Sequence, residues 1–440
     1  MKQVDMSTRS SARSSLRRIE TPASPRFVFD DLLDPCNLQP AFQPIVDLIT
    51  GEEVGAEALA RWPRLGITPD VAFQWASKVG RLAELDEACR TAAIDTALAH
   101  GIPARFRLFV NLEPSVLVAG TAGHLLDRGA GKLDLVAEIT ERALVDRPAE
   151  LLRAVHELRA AGCGIALDDV GAMPDSLALL SLVRPDVIKL DLSLIQRWPD
   201  LEQAAILTSV ASYAERSGAT ILAEGVETET HLLQALALGA VLGQGWHFSR
   251  PGPLGSLSSP THPFSLRQPL PTTSVTPFSL VDPSTVRIGP KGLLLGISRH
   301  LENQGLALGT PPVVLGAFQE ARRFTADTAV RYACIASRCP LVAALGVGLS
   351  SEPIPGVRGV ALPLDDPLRG EWVVVIVGTH YAGALIAKDL GDSGPDRDRR
   401  FAFTLTHNHD IVLKAARSLL ERVIPAPQTP SQLGASTARQ

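Results

Sequence analysis

From about residue 36 to residue 251, short apolar runs alternate with amphipathic stretches. The runs at Ala41–Leu48, Arg107–Leu112, Leu133–Ile139, Gly164–Leu167, Val187–Leu190, Thr220–Ala223 and Ala240–Leu242 are strand-sized and almost continuously apolar. Between them, Glu84–His100, Pro148–Ala161, Leu201–Ser217 and Glu229–Leu238 repeat apolar residues at helical spacing. Strands apolar on both faces, separated by helices, predict a parallel sheet covered by helices. The size and number of repeats favour a closed β/α barrel of the TIM type, and periodicity alone leaves a doubly wound sheet open.

A second block, 291–424, predicts a smaller α/β domain. Lys291–Gln304 and Ile411–Val423 read as amphipathic helices, the latter with Ile411, Leu413, Ala416, Leu419, Leu420 and Val423 along one broad stripe. WVVVIVG (Trp372–Gly378) reads as a buried strand, the following HYAGALIAKDL as a helix, and FAFTLTHN as a further strand. The intervening residues 252–290 are dense in Pro, Ser and Thr, which predicts a semi-extended linker because proline removes backbone donors and disfavours helix before it. Residues 1–35 open with Lys2, Arg9, Arg13, Arg17 and Arg18 among serines and read as a disordered tail. A transit peptide or a nucleic-acid-binding arm has a similar composition. Residues 425–440 read as a second disordered tail.

Composition narrows the function classes. The chain has 440 residues, 45% of them hydrophobic and 20% charged, ample for sizeable cores. Its 42 Lys and Arg against 47 Asp and Glu give −5, which argues against a DNA partner. No apolar run approaches the roughly 18–20 residues of a membrane span. The five cysteines are odd in number and scattered, so neither a disulfide scaffold nor a zinc site is expected, and a reducing, cytoplasmic setting is. Cys334 and Cys339 read as packing residues. His407 and His409, near Asp389 and Asp392 in sequence, read as a polar strand-to-helix junction rather than a metal site.

Candidate chemistry concentrates at strand ends. Glu57, Asn111, Glu138, the pair Asp168–Asp169, Lys189 with Asp191, Glu224 with Glu227, and Gln244 each follow or end an apolar run. In a β/α barrel these ends converge on one mouth. Taken singly, an Asp or Asn after a strand reads as a helix cap, and Asp191 fits that role. Lys189, between Ile188 and Leu190, is costly in a barrel unless carboxylates pair with it. Seven carboxylates at one mouth repel unless something positive sits among them, and hard divalent cations with oxygen ligands are the usual solution.

The same segments resemble the EAL domain, a family that hydrolyses the bacterial second messenger cyclic di-GMP. The resemblance covers 36–251 and rests on FQPIVDLITGEEVGAEALARW (42–62), NLEPSVL (111–117), AEITERALV (137–145), IALDDVG (165–171), VIKLDLSLI (187–195), ILAEGVETETHL (221–232) and LGQGWHFSRP (242–251). It implies a two-metal site holding Mg²⁺ or Mn²⁺. Glu57, Asn111, Glu138 and Asp168 would hold one ion, and Asp168, Asp169 and Glu224 the other. It implies catalytic roles for Lys189, Glu224 and Glu141, with Lys189 orienting the attacking water. Gln43, Leu59, Arg61, Asp191, Glu227 and Gln244 match substrate-contacting positions, and the product would be linear pGpG.

One loop departs from the family. DDFGTGYSSL is usual after the aspartates, and here the chain reads DDVGAMPDSL (168–177). In the family that loop helps position the second metal and couples the site to a dimer partner, and Glu141, which the resemblance implies anchors it, is retained. A competent enzyme acting as a homodimer is therefore the leading expectation, and a cyclic di-GMP receptor without catalysis is the alternative. Within 291–424, RFTADTAVRYACIASRCPLVAALG, GVRGVALPLDDPLRGEWVVVIVG, ALIAKDLGD and RRFAFTLTHNHDIVLKAARSLLERV resemble the DICT sensory domain. That implies an unknown ligand or protein partner and modulation of the barrel's output.

Overall fold

The computed structural model describes residues 28–113, 129, 131–140, 145–171, 177–267, 276–308 and 310–423. Strand β1 (Gln39–Asp47) reverses into β2 (Glu53–Arg61). Asp47 Oδ1 accepts the amides of Ile49 and Thr50 at 2.9 and 2.8 Å, and Gly51 takes a left-handed φ of +74°. A turn this short yields an antiparallel pair. From β2 onward the strands are parallel: β3 (Arg107–Asn111), β4 (Asp134–Thr140), β5 (Gly164–Val170), β6 (Val187–Leu190), β7 (Thr220–Ala223) and β8 (Leu242–Gly243). β8 then pairs antiparallel with β1 and closes an eight-stranded barrel. The expected β/α barrel is thus present, with β1 the one strand that runs against its neighbours. The β2 strand escaped the apolar-run reading because its Ala, Glu and Leu residues favour helix in isolation.

The outer helices are α1 (Pro69–Lys78), α2 (Leu82–His100), α3 (Pro148–Ala160), α4 (Leu177–Val183), α5 (Leu192–Gln196), α6 (Leu201–Ser217) and α7 (Glu229–Ala237). Helix α6 shows how local sequence sets such bounds. Asp200 and Gln203 form a reciprocal capping box at its start, and Gly218 ends it at φ +71°. Inside the barrel, Ile45, Val54, Phe109, Val136, Ala166, Val187, Leu222 and Leu242, one from each strand, form an apolar plug. It closes the barrel beneath the mouth.

In the C-terminal domain, β9 (Arg287–Pro290), α8 (Lys291–Leu306), β10 (Val313–Glu320), α9 (Ala326–Ala336), β11 (Leu341–Val347), β12 (Arg358–Ala361), β13 (Glu371–Val377), β14 (Ala382–Asp389), β15 (Arg400–Thr406) and α10 (His409–Leu420) build a mixed sheet of order β12-β11-β10-β13-β14-β15-β9. Helix α8 contributes to the core on one face of the sheet, and α10 to the core on the other. The α10 core is continuous with apolar residues of α3 and α4, so α10 lies between the sheet and the barrel. Arg216 of α6 donates to the Thr379 carbonyl, and His380 is bracketed by the hydroxyls of Ser209 and Ser212 at 3.1 and 3.3 Å.

Three boundaries differ from the sequence reading. Phe29 and Leu32 are buried against Trp62, whose Nε1 donates to the Leu32 carbonyl at 2.9 Å, so the folded domain begins before residue 36. Within the expected linker, Phe264 packs beneath the barrel plug and β9 joins the second sheet, so 252–290 is anchored at both ends. HYAGALIAKDL holds strand β14, not a helix: its Ala-rich sequence is overridden by hydrogen bonding to β13 and β15. The far N-terminal tail (1–27) and residues 425–440 lie outside the described residues. No helix among the described residues is long and apolar enough to cross a membrane.

Candidate active site

Most of the polar mouth follows from a simple register. Counting two residues from the plug toward the mouth leads from Phe109 to Asn111, Val136 to Glu138, Ala166 to Asp168, Val187 to Lys189, Leu222 to Glu224 and Leu242 to Gln244. On β1, which runs the other way, the same step leads from Ile45 back to Gln43. Alternate strand residues share a face, so these side chains form the next inward layer. Glu57 joins them from β2, directly opposite Gln43.

Lys189 is the hub of this layer. Its side chain is 1% exposed, and Nζ lies 2.7 Å from Glu138 Oε1, 2.8 Å from Asp168 Oδ1, 2.7 Å from Glu224 Oε1 and 3.5 Å from Glu57 Oε2. Asn111 Nδ2 donates to Glu57 Oε1 at 3.0 Å, and Gln244 Nε2 donates to Glu57 Oε2 at 2.7 Å and to Gln43 Oε1 at 3.1 Å. Burial pushes the Glu57 carboxyl up, but Lys189, Gln244 and Asn111 together hold it below its ordinary value. Burial, with the neighbouring carboxylates, drives Glu138 and Glu224 well above theirs. Burial also works against the Lys189 ammonium, yet its four carboxylates keep it firmly charged.

Adjacent strand residues ordinarily point to opposite faces. At Asp168–Asp169 the β5–β6 register slips, and Asp169 adopts a left-handed φ of +54°. Ligand oxygens of Asp168, Asp169 and Glu224 consequently lie within 4.8 Å of one another. Burial and the Asp168 charge raise Asp169 to about 6. Lys189 alone cannot balance these acids, and buried Glu138 Oε2 finds no donor among the described residues. An excess of buried carboxylate oxygen with an amide beside it is the donor set of a hard divalent cation, and the residues fit such an ion.

The remaining expected residues fall at the rim. Leu59 and Arg61 line a cavity of about 560 Å³ together with Asn111. Asp191 Oδ1 caps α5 by accepting the Ser193 amide at 2.8 Å, and Glu227 is exposed. Glu141 and the divergent residues 172–176 lie outside the described residues. The sequence reading did not single out Asp86 and Arg90, a buried ion pair on α2 that lines the same cavity. Their i,i+4 spacing was its one sequence signal.

Residues 277–390 match the family described as DICT, a sensory domain in diguanylate cyclases and two-component systems. The cyclic di-GMP phosphodiesterase RocR of Pseudomonas aeruginosa is 31% identical over 235 residues, covering 50% of this chain and 59% of RocR. The probable cyclic di-GMP phosphodiesterase PdeG of Escherichia coli is 30% identical over 246 residues, covering 53% of this chain and 48% of PdeG. The chain therefore spans about half the length of these curated relatives. Among solved structures, the PaMucR phosphodiesterase in complex with c-di-GMP is 29% identical, with a TM-score of 0.46, covering 51% of this chain and 95% of that one. The EAL-domain family model matches residues 29–251, just over half of the sequence, and the chain belongs to the EAL-domain family.

Proposed function

We propose that the barrel hydrolyses cyclic di-GMP to linear pGpG and that the C-terminal domain modulates this output. The observation that carries the reading is the buried ring of Glu57, Glu138, Asp168 and Glu224 around Lys189, with Asp169 drawn in by a bulge. Glu57, Asn111, Glu138, Asp168, Asp169 and Glu224 would hold two Mg²⁺ or Mn²⁺ ions. Divalent cations there would supply nucleophilic hydroxide at neutral pH and offset phosphate charge. Lys189 holds the attacking water by hydrogen bonding, and Glu224, on the same ammonium, accepts its proton. In-line attack on one phosphorus forms a new P–O bond and breaks its P–O3′ bond, leaving a 5′-phosphate and a 3′-hydroxyl that takes up a proton. Arg61 suits a phosphate oxygen through its bidentate guanidinium, with Gln43, Leu59, Asp191, Glu227 and Gln244 as further contacts. The cavity beside Arg61 is of nucleotide size. The role of Glu141 rests on family resemblance alone, as does the expected homodimer, which sedimentation measures.

The test is hydrolysis of cyclic di-GMP with added Mg²⁺ or Mn²⁺, run beside Glu57→Ala. Turnover to pGpG that is lost in the variant is the expected result. Tight binding with the nucleotide left intact overturns catalysis and installs the receptor reading, which the substituted loop at 170–175 favours.

A further inference from the structure

At the end of the barrel opposite the mouth, four guanidinium groups meet where α3 and the end of α4 face α10. Arg159, Arg184, Arg267 and Arg417, with His156, line a small cavity of about 20 Å³. Asp186 is the buried acid there, and it is saturated. It accepts the Ile165 and Arg267 amides, both at 2.7 Å, and pairs with Arg159 at 3.1 Å. Glu421 is another nearby acid, and its field is shared among Arg422, Arg417, Arg153 and His156, while Asp410 and Arg184 both act on His409. The segment that continues from Arg267, residues 268–275, contains no acidic residue.

The arginines spend some donors on backbone. Arg159 donates to the Arg184 and Arg267 carbonyls, Arg267 to Ser217, and Arg417 to Leu182. Two are left short. Arg417 Nε is buried without a partner, and the half-buried Arg184 side chain has no hydrogen-bonding or ionic partner among the described residues. Burial, compounded by Arg184 and Arg159, pushes the Arg417 guanidinium down to about 10. Buried cations without counter-charge are strongly unfavourable, and forked guanidiniums match a tetrahedral oxyanion.

We propose that this seam binds one small free oxyanion of the phosphate or sulfate class, held between Arg159 and Arg184 of the barrel and Arg417 of the C-terminal domain. The cavity is small and partly open to solvent, so an oxyanion can rest against its guanidinium groups while a nucleotide base is excluded. The bound ion bridges the two domains and offsets the repulsion across their contact.

The test uses the full chain in EDTA, so that no metal-held phosphate contributes at the mouth. Inorganic phosphate and sulfate are titrated by calorimetry and by thermal unfolding, against chloride at matched ionic strength. Saturable binding and a rise in Tm with both oxyanions, absent with chloride, are expected. Arg417→Gln and Arg184→Gln each raise Kd by about tenfold to a hundredfold. Arg184 has no side-chain partner to lose among the described residues, so its variant keeps the fold if Arg417→Gln does not. Equal stabilisation by chloride, or wild-type affinity in Arg184→Gln, overturns the proposal.

Discussion

Replacing Lys189 by Met is the sharpest probe of the buried charge cluster. The substitution keeps the volume of the side chain but leaves Glu57, Glu138, Asp168 and Glu224 without a cation supplied by the chain. Removing one partner of a buried ion pair costs about 3–5 kcal/mol. Three carboxylates lie within 2.8 Å of Nζ, yet the penalty does not triple. Burial already drives Glu138 and Glu224 well above their ordinary values, so they take up protons once the ammonium is gone. A loss of about 3–5 kcal/mol at neutral pH in EDTA is therefore expected. For a domain of this size it lowers Tm by about 6–20 °C, at about 2–4 °C per kcal/mol.

The pH dependence has a definite sign. In the variant the folded carboxyls have raised pKa values, so between about pH 7 and the unfolded value near 4.3 the folded state binds more protons than the unfolded one. Stability then rises as pH falls, and the deficit against the wild type shrinks. Divalent cations, which bind the folded state alone, recover part of it by mass action. Urea denaturation followed by tryptophan fluorescence, in EDTA and in Mg²⁺ at about pH 7 and about pH 5.5, reads all three effects. Wild-type stability in EDTA at neutral pH, or a deficit that widens on acidification, refutes the reasoning.

Gly245→Ala tests the loop beside Gln244: at φ +155° its Cβ would lie 2.1 Å from the Val226 carbonyl oxygen, so the backbone must shift. A loss of about 3 kcal/mol in urea denaturation is expected. Tyr332→Phe has the opposite sign, because the Tyr332 hydroxyl is buried without a hydrogen-bond partner among the described residues, and removing it stabilises by about 1 kcal/mol in the same assay. Burial raises the Asp366 carboxyl, but Arg422 Nε at 2.8 Å and the Leu368 amide at 2.9 Å bring it net below its ordinary value. Its stabilisation is therefore present above the unfolded pKa of about 3.9 and lost as pH falls through the folded value. Asp366→Asn consequently costs about 1.5–3 kcal/mol at neutral pH, and the difference closes in acid denaturation profiles toward about pH 3.

The barrel was legible because its strands carry apolar residues on both faces, and a polar residue two places beyond the plug stands out against that background. Lys189 between Ile188 and Leu190 is the clearest instance. Strands β2 and β14 were hidden for the converse reason. Both are rich in residues that favour helix when isolated, and only pairing with neighbours far along the chain decides them. The convergence of Asp168 and Asp169 depends on a bulge and a left-handed residue, neither of which has a residue-type signature when the residue is Asp. The Asp86–Arg90 pair went unremarked because i,i+4 pairs are ordinary on exposed helix faces, and burial is what makes this one unusual.

The net charge of −5 averages over a chain whose charges are segregated along the strands. Strand β5 carries Asp168 and Asp169 toward the mouth, while its first residues are tied to Asp186 through the Ile165 amide. Strand β6 carries Lys189 three residues beyond Asp186, a rise of about 10 Å. The acidic mouth and the basic seam thus bracket the same two short strands, with the apolar plug between them. The C-terminal domain is seated against α3, α4 and α6 on the outside of the barrel, so the groups it touches are separate from those that line the mouth.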